Sequence, residues 1–384
     1  SGHTYPEARE QMMRSFREGV IFANYLGHAN PTSWTHNELL RWPDITDGFH
    51  YRHEPLMFTG TCEFTRWDAP DVSGGEELLL YPRGGVIAII TSSRVTGMSS
   101  NGQLSIALGK HVFNPLSNGE MPRLGDILKN TKNDPDYNSY FDSTGRPHPT
   151  NVDHSMKYAL LGDPALRLKY PRHSVKLTEI NGSRTDSEIL PEIKARQEVE
   201  MKGIIVDKSG NRLTNYNGLL TSTVFDAEIS VSTNGNDDNG TNGKVVTFQE
   251  HNNQLYIGSD SIRNGEFSIR FRMPTAIVNN YTPGLVNLFA QSDTDGDALG
   301  KSENFYVYGF DESETDDNEG PEINLFALNT ESFANGDNVN ETPYVIAKFS
   351  DRSGINLSTL DIGHGITLTL DGKTTITGLE SFYS

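Results

Sequence analysis

Two residues of this chain carry side chains suited to nucleophilic chemistry, and they stand in matching local contexts. Cys62, the single cysteine among 384 residues, follows the apolar run 54–61. His28 follows a similar run, 19–26, that is closed by Gly27. Each run is typical of a buried strand that ends at a glycine-containing turn. The sequence therefore predicts that a thiol and an imidazole lie just beyond the ends of two strands.

The segment between these two predicted strands decides whether they can be neighbours. It is long enough for a crossover connection and contains a predicted helical turn at 35–40, which allows the strands to pair in parallel. In an open α/β sheet, ligands bind at the carboxyl ends of the strands. We therefore expect His28 and Cys62 to meet at one edge of a sheet.

The chemistry available to such a pair is acyl transfer. An unperturbed thiol has a pKa of about 8.5 and is only a few per cent thiolate at neutral pH, so a cysteine nucleophile needs an imidazole beside it. His28 would supply that base and then protonate the leaving amine. The amides of Ala29 and Cys62 are the candidate oxyanion hole, because a developing oxyanion needs donors that are already in place. A cysteine that only packs is the alternative.

Four sequence blocks resemble the gingipain-type, caspase-like family of cysteine peptidases. In order they are YLGHA at 25–29, GTCEFTRWD at 60–68, GGVIA at 84–88 and YALLGDPALRL at 158–168. Within the family they are most similar to the branch that holds the C-terminal signal peptidase and sortase of the type IX secretion system of Bacteroidetes. The resemblance implies a caspase-like α/β domain over 1–175, with Cys62 as nucleophile and His28 as catalytic histidine.

The resemblance also implies a reaction and partners. The enzyme would cleave the C-terminal signal domain of exported cargo and transfer the acyl product to an amine of surface lipopolysaccharide or to water. Its partners would be these cargo proteins, lipopolysaccharide and outer-membrane secretion proteins. Its location would be the cell surface, outer-membrane-associated or secreted, and no cofactor is expected. Two alternatives stay open: a gingipain-like endopeptidase with a charged S1 pocket, and a surface adhesion or assembly module with an inert thiol.

Two departures from the family pattern bear on activity. Many members have glycine after the histidine, where this chain has Ala29. The family's carboxylate partner of the histidine precedes it in the sequence, and Glu7, Glu10 and Glu18 stand in no matching motif. We therefore expect that carboxylate to lie outside this chain and the catalytic domain to lack its N-terminal part.

Five residues near the two strand ends are candidates for substrate binding. Glu63 and Arg66 belong to the polar run after Cys62, which suits a cleft better than a core. Trp34 and Trp67 are large aromatic side chains beside that cleft, although packing under the loops is the alternative for both. Arg94 follows a third predicted strand, 86–90, at the same edge of the sheet, and a solvated arginine is the alternative there.

The remaining pattern of the first 175 residues is mostly helical. Periodicity predicts helices at 6–18, 104–112 and 124–131 and a short one that starts at 73, whereas the polar, proline-containing segment 133–153 predicts a loop. The formal net charge of −19 argues against a nucleic-acid partner. A single cysteine excludes a disulfide within the chain.

Beyond residue 170 the pattern changes to short alternating runs, which predict strands. These runs are 175–177, 199–206, 227–231, 245–248, 255–257, 267–273 and 285–290. Their spacing favours an antiparallel β-sandwich, immunoglobulin-like or fibronectin-like, over 176–310, so the fold class is multidomain α/β plus all-β. The Asn/Gly/Asp-rich segment 234–244 predicts a mobile hairpin loop.

The acidic segments of this half predict a linker and one candidate cation site. Asp293, Asp295 and Asp297 alternate as in calcium loops, but the glycine falls at the fourth position instead of the sixth, so an ordinary acidic turn is the alternative. Residues 311–319 have the composition of a solvated linker. The strands predicted within 320–384 either start a further, truncated β-domain or complete the previous one.

Overall fold

The computed structural model describes residues 5–35, 38–51, 53–138, 150–233, 245–313, 319–351, 355, 357 and 365–383. The chain folds into two compact units, 1–170 and 171–384. A strand of the second unit begins at His173. The predicted boundary at 175 therefore lies a few residues too late, inside that strand.

The first unit is a mixed α/β fold. Its elements are α1 (Pro6–Glu18), β1 (Phe22–Leu26), β2 (Ala29–Asn30), β3 (Ser33–Trp34), α2 (Trp42–Asp47), β4 (Leu56–Gly60), α3 (Gly74–Leu80), β5 (Ala88–Ser92), α4 (Met98–Val112), α5 (Leu124–Lys132), α6 (Pro135–Asn138), α7 (Thr150–Lys157) and β6 (Tyr158–Leu161). The main sheet has the strand order β1-β4-β5-β6. β1, β4 and β5 are parallel and β6 is antiparallel to β5, so the predicted parallel pairing of β1 with β4 is confirmed.

Both faces of the central strands are covered, which explains their continuous apolar sequences. Successive side chains of a strand point to opposite faces. Met57 and Ile89 accordingly belong to one core cluster, which they share with α1 and α3 residues such as Phe16 and Leu78. Their neighbours Phe58 and Ile90 belong to the other, with Leu104, Leu108 and Ile127 of α4 and α5. The sheet is thus held rigidly between two layers, which fixes where its strands end.

Two local predictions for this unit are wrong. The helix after β3 is α2, which begins at Trp42 and not at 35, because Pro43 stands in its first turn and the Asp44 side chain accepts the Arg41 amide. Trp34 instead donates its amide to the Leu40 carbonyl, and residues 36 and 37 lie outside the described part. The predicted loop 133–153 contains α6 and the start of α7, while 139–149 lie outside the described part.

The second unit is built from strands. They are β7 (His173–Ile180), β8 (Ser183–Arg184), β9 (Glu192–Ala195), β10 (Glu198–Val206), β11 (Gly218–Phe225), β12 (Ile229–Ser232), β13 (Thr247–Glu250), β14 (Gln254–Ile262), β15 (Glu266–Arg272), β16 (Leu285–Gln291), β17 (Ala298–Ser302), β18 (Tyr306–Phe310), β19 (Glu322–Leu328), β20 (Val345–Ser350), β21 (Leu368–Leu370) and β22 (Thr374–Ile376), followed by a 3₁₀ turn, Leu379–Phe382. The seven runs predicted from the sequence all overlap strands of this set.

The main sheet of this unit is a single sheet with the order β14-β11-β16-β17-β7-β10-β15, and β8 pairs with β7. Its outermost strands, β14 and β15, are joined by a tight turn in which Asn264 and Gly265 have positive φ angles of 53° and 72°. The neighbours are antiparallel except β17 and β7, which are parallel. The two-residue parallel contact of β17 with β7 therefore joins two antiparallel groups of strands, β14-β11-β16-β17 and β7-β10-β15, and the immunoglobulin-like or fibronectin-like sandwich stays a prediction.

The last part of the chain joins this same unit. β19 pairs with β20 and β21 with β22. Leu357 is buried in the main core, and Ile355, Ile366 and Tyr383 pack against it. Of the two alternatives for 320–384, completion of the previous unit fits these contacts better than the start of a separate domain. The predicted loop 234–244 and linker residues 314–318 lie outside the described part. Among the helices of the described residues, none is long and apolar enough to cross a membrane.

Asp44 connects the first two helices of the first unit. Its carboxylate accepts hydrogen bonds from the side chain of Arg9, one of them at 2.9 Å, and from the Arg41 amide at 2.9 Å. Burial alone would raise the pKa of this carboxyl, but the hydrogen bonds from Arg9 and Arg41 outweigh burial, and the pKa lies below its ordinary value. The charged form of Asp44 therefore stabilises the folded state.

We predict that Asp44→Asn lowers the free energy of unfolding by about 1.5–3 kcal/mol near pH 7, the usual strength of hydrogen bonds to a charged group. Because the pKa is depressed on folding, this stability is present above the unfolded pKa of about 3.9 and is lost as the pH falls through the folded pKa. The measurement is urea unfolding from pH 7 to pH 3. Asp47→Asn, at an exposed acid of the same helix, is the control, and a difference from wild type that persists unchanged at pH 3 would contradict the assignment.

Candidate active site

The register between β1 and β4 places His28 and Cys62 at the same edge of the sheet. Leu26 is paired with Gly60, and the Gly27 amide extends the ladder by donating to the Gly60 carbonyl at 3.2 Å. His28 lies two residues beyond the end of β1 and Cys62 two residues beyond the end of β4. The two residues therefore leave adjacent parallel strands at equivalent positions.

The Cys62 thiol is half-buried and contacts the segment that follows β5. The Thr96 amide donates to Sγ at 3.4 Å, and the thiol donates to the Thr96 carbonyl at 3.4 Å. The next residue, Glu63, has a φ of +49°, a left-handed conformation that is uncommon outside glycine and asparagine. The Glu63 amide donates to the Arg94 carbonyl at 3.3 Å. These bonds attach the Cys62 turn to the end of the neighbouring strand.

The His28 turn is fixed through its backbone. The His28 carbonyl accepts hydrogen bonds from the Tyr25 hydroxyl at 2.9 Å and from the Thr35 amide at 2.8 Å, while its side chain is exposed. In an antiparallel hairpin, hydrogen-bonded and non-hydrogen-bonded residue pairs alternate. Because His28 and Thr35 are hydrogen-bonded, the next pair of the β2–β3 hairpin, Ala29 and Trp34, is a non-hydrogen-bonded pair. The Ala29 amide is therefore directed away from β3, so the hairpin leaves it available as a donor.

Trp34 packs beneath this turn and is 2% exposed. Its indole stacks on Tyr25, with 4.0 Å between ring centroids and 3° between ring planes, and it also contacts Phe64. A Cβ on Gly27 would lie 2.5 Å from the Tyr25 hydroxyl oxygen, so glycine leaves the space through which the phenol reaches the His28 carbonyl. The prediction that Trp34 contacts substrate is corrected, since a buried indole cannot reach one.

The other predicted substrate contacts lie on the surface around the Cys62 turn. Trp67 is 58% exposed. Arg94 does lie at this edge, but its guanidinium forms two hydrogen bonds with the Asp68 carboxylate, at 3.0 and 2.5 Å, and the hydrogen bond from Arg94 lowers the pKa of Asp68. Glu63 and Arg66 approach each other at 4.0 Å. Both acids of this turn are thus close to arginines.

The three acids proposed as a calcium loop lie in the second unit. The Asp295 carboxylate accepts hydrogen bonds from Thr294 and Ser292 hydroxyls at 2.9 and 3.3 Å. The Asp297 carbonyl accepts the His173 amide at 3.2 Å. In the part of the chain that the structure describes, no three His, Cys, Asp or Glu side chains gather as metal ligands, and Asp293, Asp295 and Asp297 form no such group.

Sequence reasoning missed a buried polar network that leads away from Cys62. The carbonyl of Thr61 faces the Tyr158 hydroxyl at 3.5 Å, Tyr158 bonds to the Asn101 side chain at 2.8 Å, and His154 reaches the same Asn101 oxygen at 2.8 Å. Burial, with a smaller contribution from Lys157, lowers the pKa of His154 to about 4. Tyr158 lies within one of the recognised sequence blocks, but nothing in a single sequence pairs it with Asn101 or His154.

Comparison with known protein families identifies the class of protein that the first unit resembles. Residues 1–169, nearly the whole first unit, match the model of peptidase family C25, which is the gingipain family. The first unit is therefore similar to this family of cysteine peptidases, and the resemblance stated from the four sequence blocks is confirmed. No curated protein matches the chain.

Solved structures of this family are among the similar ones. The chain is similar to dimeric latent PorU from Porphyromonas gingivalis, with 26% identity over 78% of this chain and 27% of PorU, at a TM-score of 0.41. It is also similar to the Arg-specific cysteine proteinase gingipain R (RgpB), with 15% identity over 80% of this chain and 56% of that one, at a TM-score of 0.39. The chain thus spans about a quarter of the PorU chain.

We predict that Tyr25→Phe, which keeps the ring stack on Trp34 but removes the bond to the His28 carbonyl, destabilises the first unit by about 1 kcal/mol. Burial raises the pKa of Tyr25 to about 12, so the phenol stays protonated and donates this bond across the working pH range. The measurement is the urea midpoint together with hydrogen exchange of the Thr35 amide, which should become faster. Tyr5→Phe, at a position that is 59% exposed, is the control, and equal behaviour of the two variants would contradict the assigned role.

Proposed function

We propose that this chain acts as a cysteine peptidase in which Cys62 is the nucleophile and His28 the general acid and base. The observation that carries the proposal is the pairing of Leu26 with Gly60, since it brings both reactive residues to one edge of the sheet at equal distances past the strand ends. The family match of residues 1–169 supports the same chemistry.

The proposed reaction has two steps. The Cys62 thiolate attacks a peptide carbonyl carbon, the scissile C–N bond breaks, and His28 gives its proton to the departing amine, which leaves a thioester on Cys62. A second nucleophile, an amine or water, then attacks the thioester, His28 takes its proton, and the thiolate is regenerated. We assign the amides of Ala29 and Cys62 to the oxyanion in both steps.

For the substrate, we propose the C-terminal signal domain of exported cargo, with transfer to an amine of surface lipopolysaccharide or to water. The support for this assignment is the resemblance of blocks 25–29, 60–68 and 158–168 to the sortase branch of the family. It entails a cell-surface location and contact with outer-membrane secretion proteins. The identity with PorU is modest, so the substrate is a proposal separate from the chemistry.

One observation weighs against the endopeptidase alternative. An S1 pocket for arginine or lysine needs an unpaired carboxylate near the nucleophile. The two acids of the Cys62 turn are Asp68, which is bound by Arg94, and Glu63, which lies near Arg66. A basic P1 side chain could therefore bind either acid of this turn only by displacing the arginine that already lies beside it.

We predict that the rate of Cys62 alkylation by iodoacetamide reaches its plateau well below pH 8 in the wild type and loses this early plateau in His28→Ala. The reason is that an imidazolium beside the sulfur stabilises the thiolate. His53→Ala, at an exposed histidine, is the matched control and should keep the early plateau. An ordinary thiol titration in the wild type would refute the proposal that this chain forms an activated nucleophile.

We also predict transfer in preference to hydrolysis when an amine is present. The chain is incubated with a peptide library and increasing glycine ethyl ester, and mass spectrometry counts amide and acid products of cleavage. The amide fraction should rise with amine concentration, because the thioester partitions between the two nucleophiles, and Cys62→Ala should abolish both products. Acid products alone at every amine concentration, with cleavage after arginine or lysine, would favour the endopeptidase instead.

A further inference from the structure

The carbonyl of Thr61, the residue before Cys62, is held by one hydroxyl group and lies near a second. The Thr96 side chain donates to it at 2.8 Å, and the Tyr158 hydroxyl lies 3.5 Å from it. Thr96 belongs to the segment after β5 and Tyr158 to β6. The peptide bond that leads into Cys62 is thus bonded by Thr96 and packed beside Tyr158.

Thr96 contacts the thiol as well as this carbonyl. Its amide donates to the sulfur and its carbonyl accepts from the thiol, both at 3.4 Å, and its hydroxyl oxygen lies 3.9 Å from Sγ. A backbone N–H that faces sulfur stabilises the thiolate, because it supplies a donor to the charged form. The Thr96 carbonyl, in contrast, accepts from the neutral thiol, so the two backbone contacts favour opposite charge states, and what Thr96 fixes is the position of the sulfur in the turn.

The second hydroxyl is anchored in a buried network. Tyr158 is 1% exposed, Asn101 2% and His154 4%. Asn101 accepts from Tyr158 and His154, both at 2.8 Å, and His154 contacts the Tyr137 hydroxyl at 2.7 Å on its other side. These residues come from β6, α4, α7 and α6, so four elements converge on the support of one turn. Such a satisfied buried network is rigid.

The network also keeps one protonation state. Burial lowers the pKa of His154 to about 4, and burial raises the pKa of Tyr158 far above its ordinary value. Both groups are therefore neutral across the pH range in which a cysteine peptidase would act. This network therefore keeps one protonation state over that range.

We propose that Thr96 is a positioning residue for the Cys62 thiol, because it contacts the sulfur through its backbone and the Thr61 carbonyl through its hydroxyl, and that Tyr158, held by Asn101 and His154, packs beside that carbonyl. For its consequence in catalysis, this inference rests on the proposed function. The contacts themselves act on the thiol with or without His28. That difference makes it possible to test the two proposals separately.

The experiment compares Thr96→Val with Thr96→Ser in the full chain, each with His28 present and with His28→Ala. Valine keeps the shape but removes the hydroxyl, whereas serine keeps the hydroxyl. Thr131→Val is the matched control, because the buried Thr131 hydroxyl donates to the Ile127 carbonyl within α5, at 2.7 Å, away from the Cys62 turn. The readouts are the pH profile of iodoacetamide alkylation and the thermal unfolding temperature.

We expect Thr96→Val to slow alkylation about three- to tenfold, because it removes the hydroxyl that holds the Thr61 carbonyl and so loosens the turn that carries the thiol, while the backbone contacts of residue 96 with the sulfur are kept. The same direction is expected in the His28→Ala background, with recovery in Thr96→Ser and no shift in Thr131→Val. Tyr158→Phe should change the profile by less, because the Tyr158 hydroxyl donates to Asn101 and only lies near the Thr61 carbonyl.

Two outcomes of this experiment would contradict the positioning role of Thr96. An unchanged alkylation profile in Thr96→Val, or an equal shift in Thr96→Val and Thr131→Val, overturns the inference, because the contacts would then be general packing. A failure of the proposed function looks different: the wild type itself titrates as an ordinary thiol and His28→Ala changes nothing. In that case the Thr96 comparison in the His28→Ala background still decides the positioning role.

Discussion

The parallel pairing of β1 with β4 is the constraint on which the candidate site depends. Its register sets Leu26 opposite Gly60, and the turns that carry His28 and Cys62 begin directly afterwards. A shift of the register by one residue would turn every side chain of the strand to the other face. Such a slip is resisted because Met57 and Phe58 are fully buried in different core clusters. The position of the thiol relative to the imidazole is thus a consequence of core packing.

Much of this arrangement could be predicted from the sequence, because it follows from local patterns. Apolar runs closed by glycine predicted β1, β4 and the turns after them, and the single cysteine directed attention to one of those turns. Residues brought together by the tertiary fold could not be predicted in this way. Trp34 was a candidate for substrate contact with packing under the loops as the alternative, and it is buried against Tyr25, whose hydroxyl passes through the space left by Gly27.

In the second unit, too, the sequence predicted the strands but not how they are arranged. Alternating runs predicted its strands, yet the strand order depends on pairing between distant segments, such as the parallel pair β7 with β17. The turn at Asn264 and Gly265 joins β14 to β15, so two strands that follow each other in the sequence stand at opposite ends of the strand order. Local alternation fixes which face of a strand is buried, and it carries no information about which strands become neighbours.

The turns that carry His28 and Cys62 are both held by hydrogen bonds to a backbone carbonyl, of His28 in one and of Thr61 in the other, which explains how turns at a sheet edge can be rigid. A carbonyl oxygen has two lone pairs and can accept two donors. The His28 carbonyl is approached by the Tyr25 hydroxyl and a backbone amide, and the Thr61 carbonyl by the hydroxyls of Tyr158 and Thr96. The His28 turn is thus held by a tyrosine whose ring packs against the core, and the Cys62 turn by the Thr96 hydroxyl, while the nearby Tyr158 hydroxyl donates to Asn101. The His28 side chain is exposed and takes no part in this support, whereas the Cys62 sulfur takes part in it through its contacts with the Thr96 backbone.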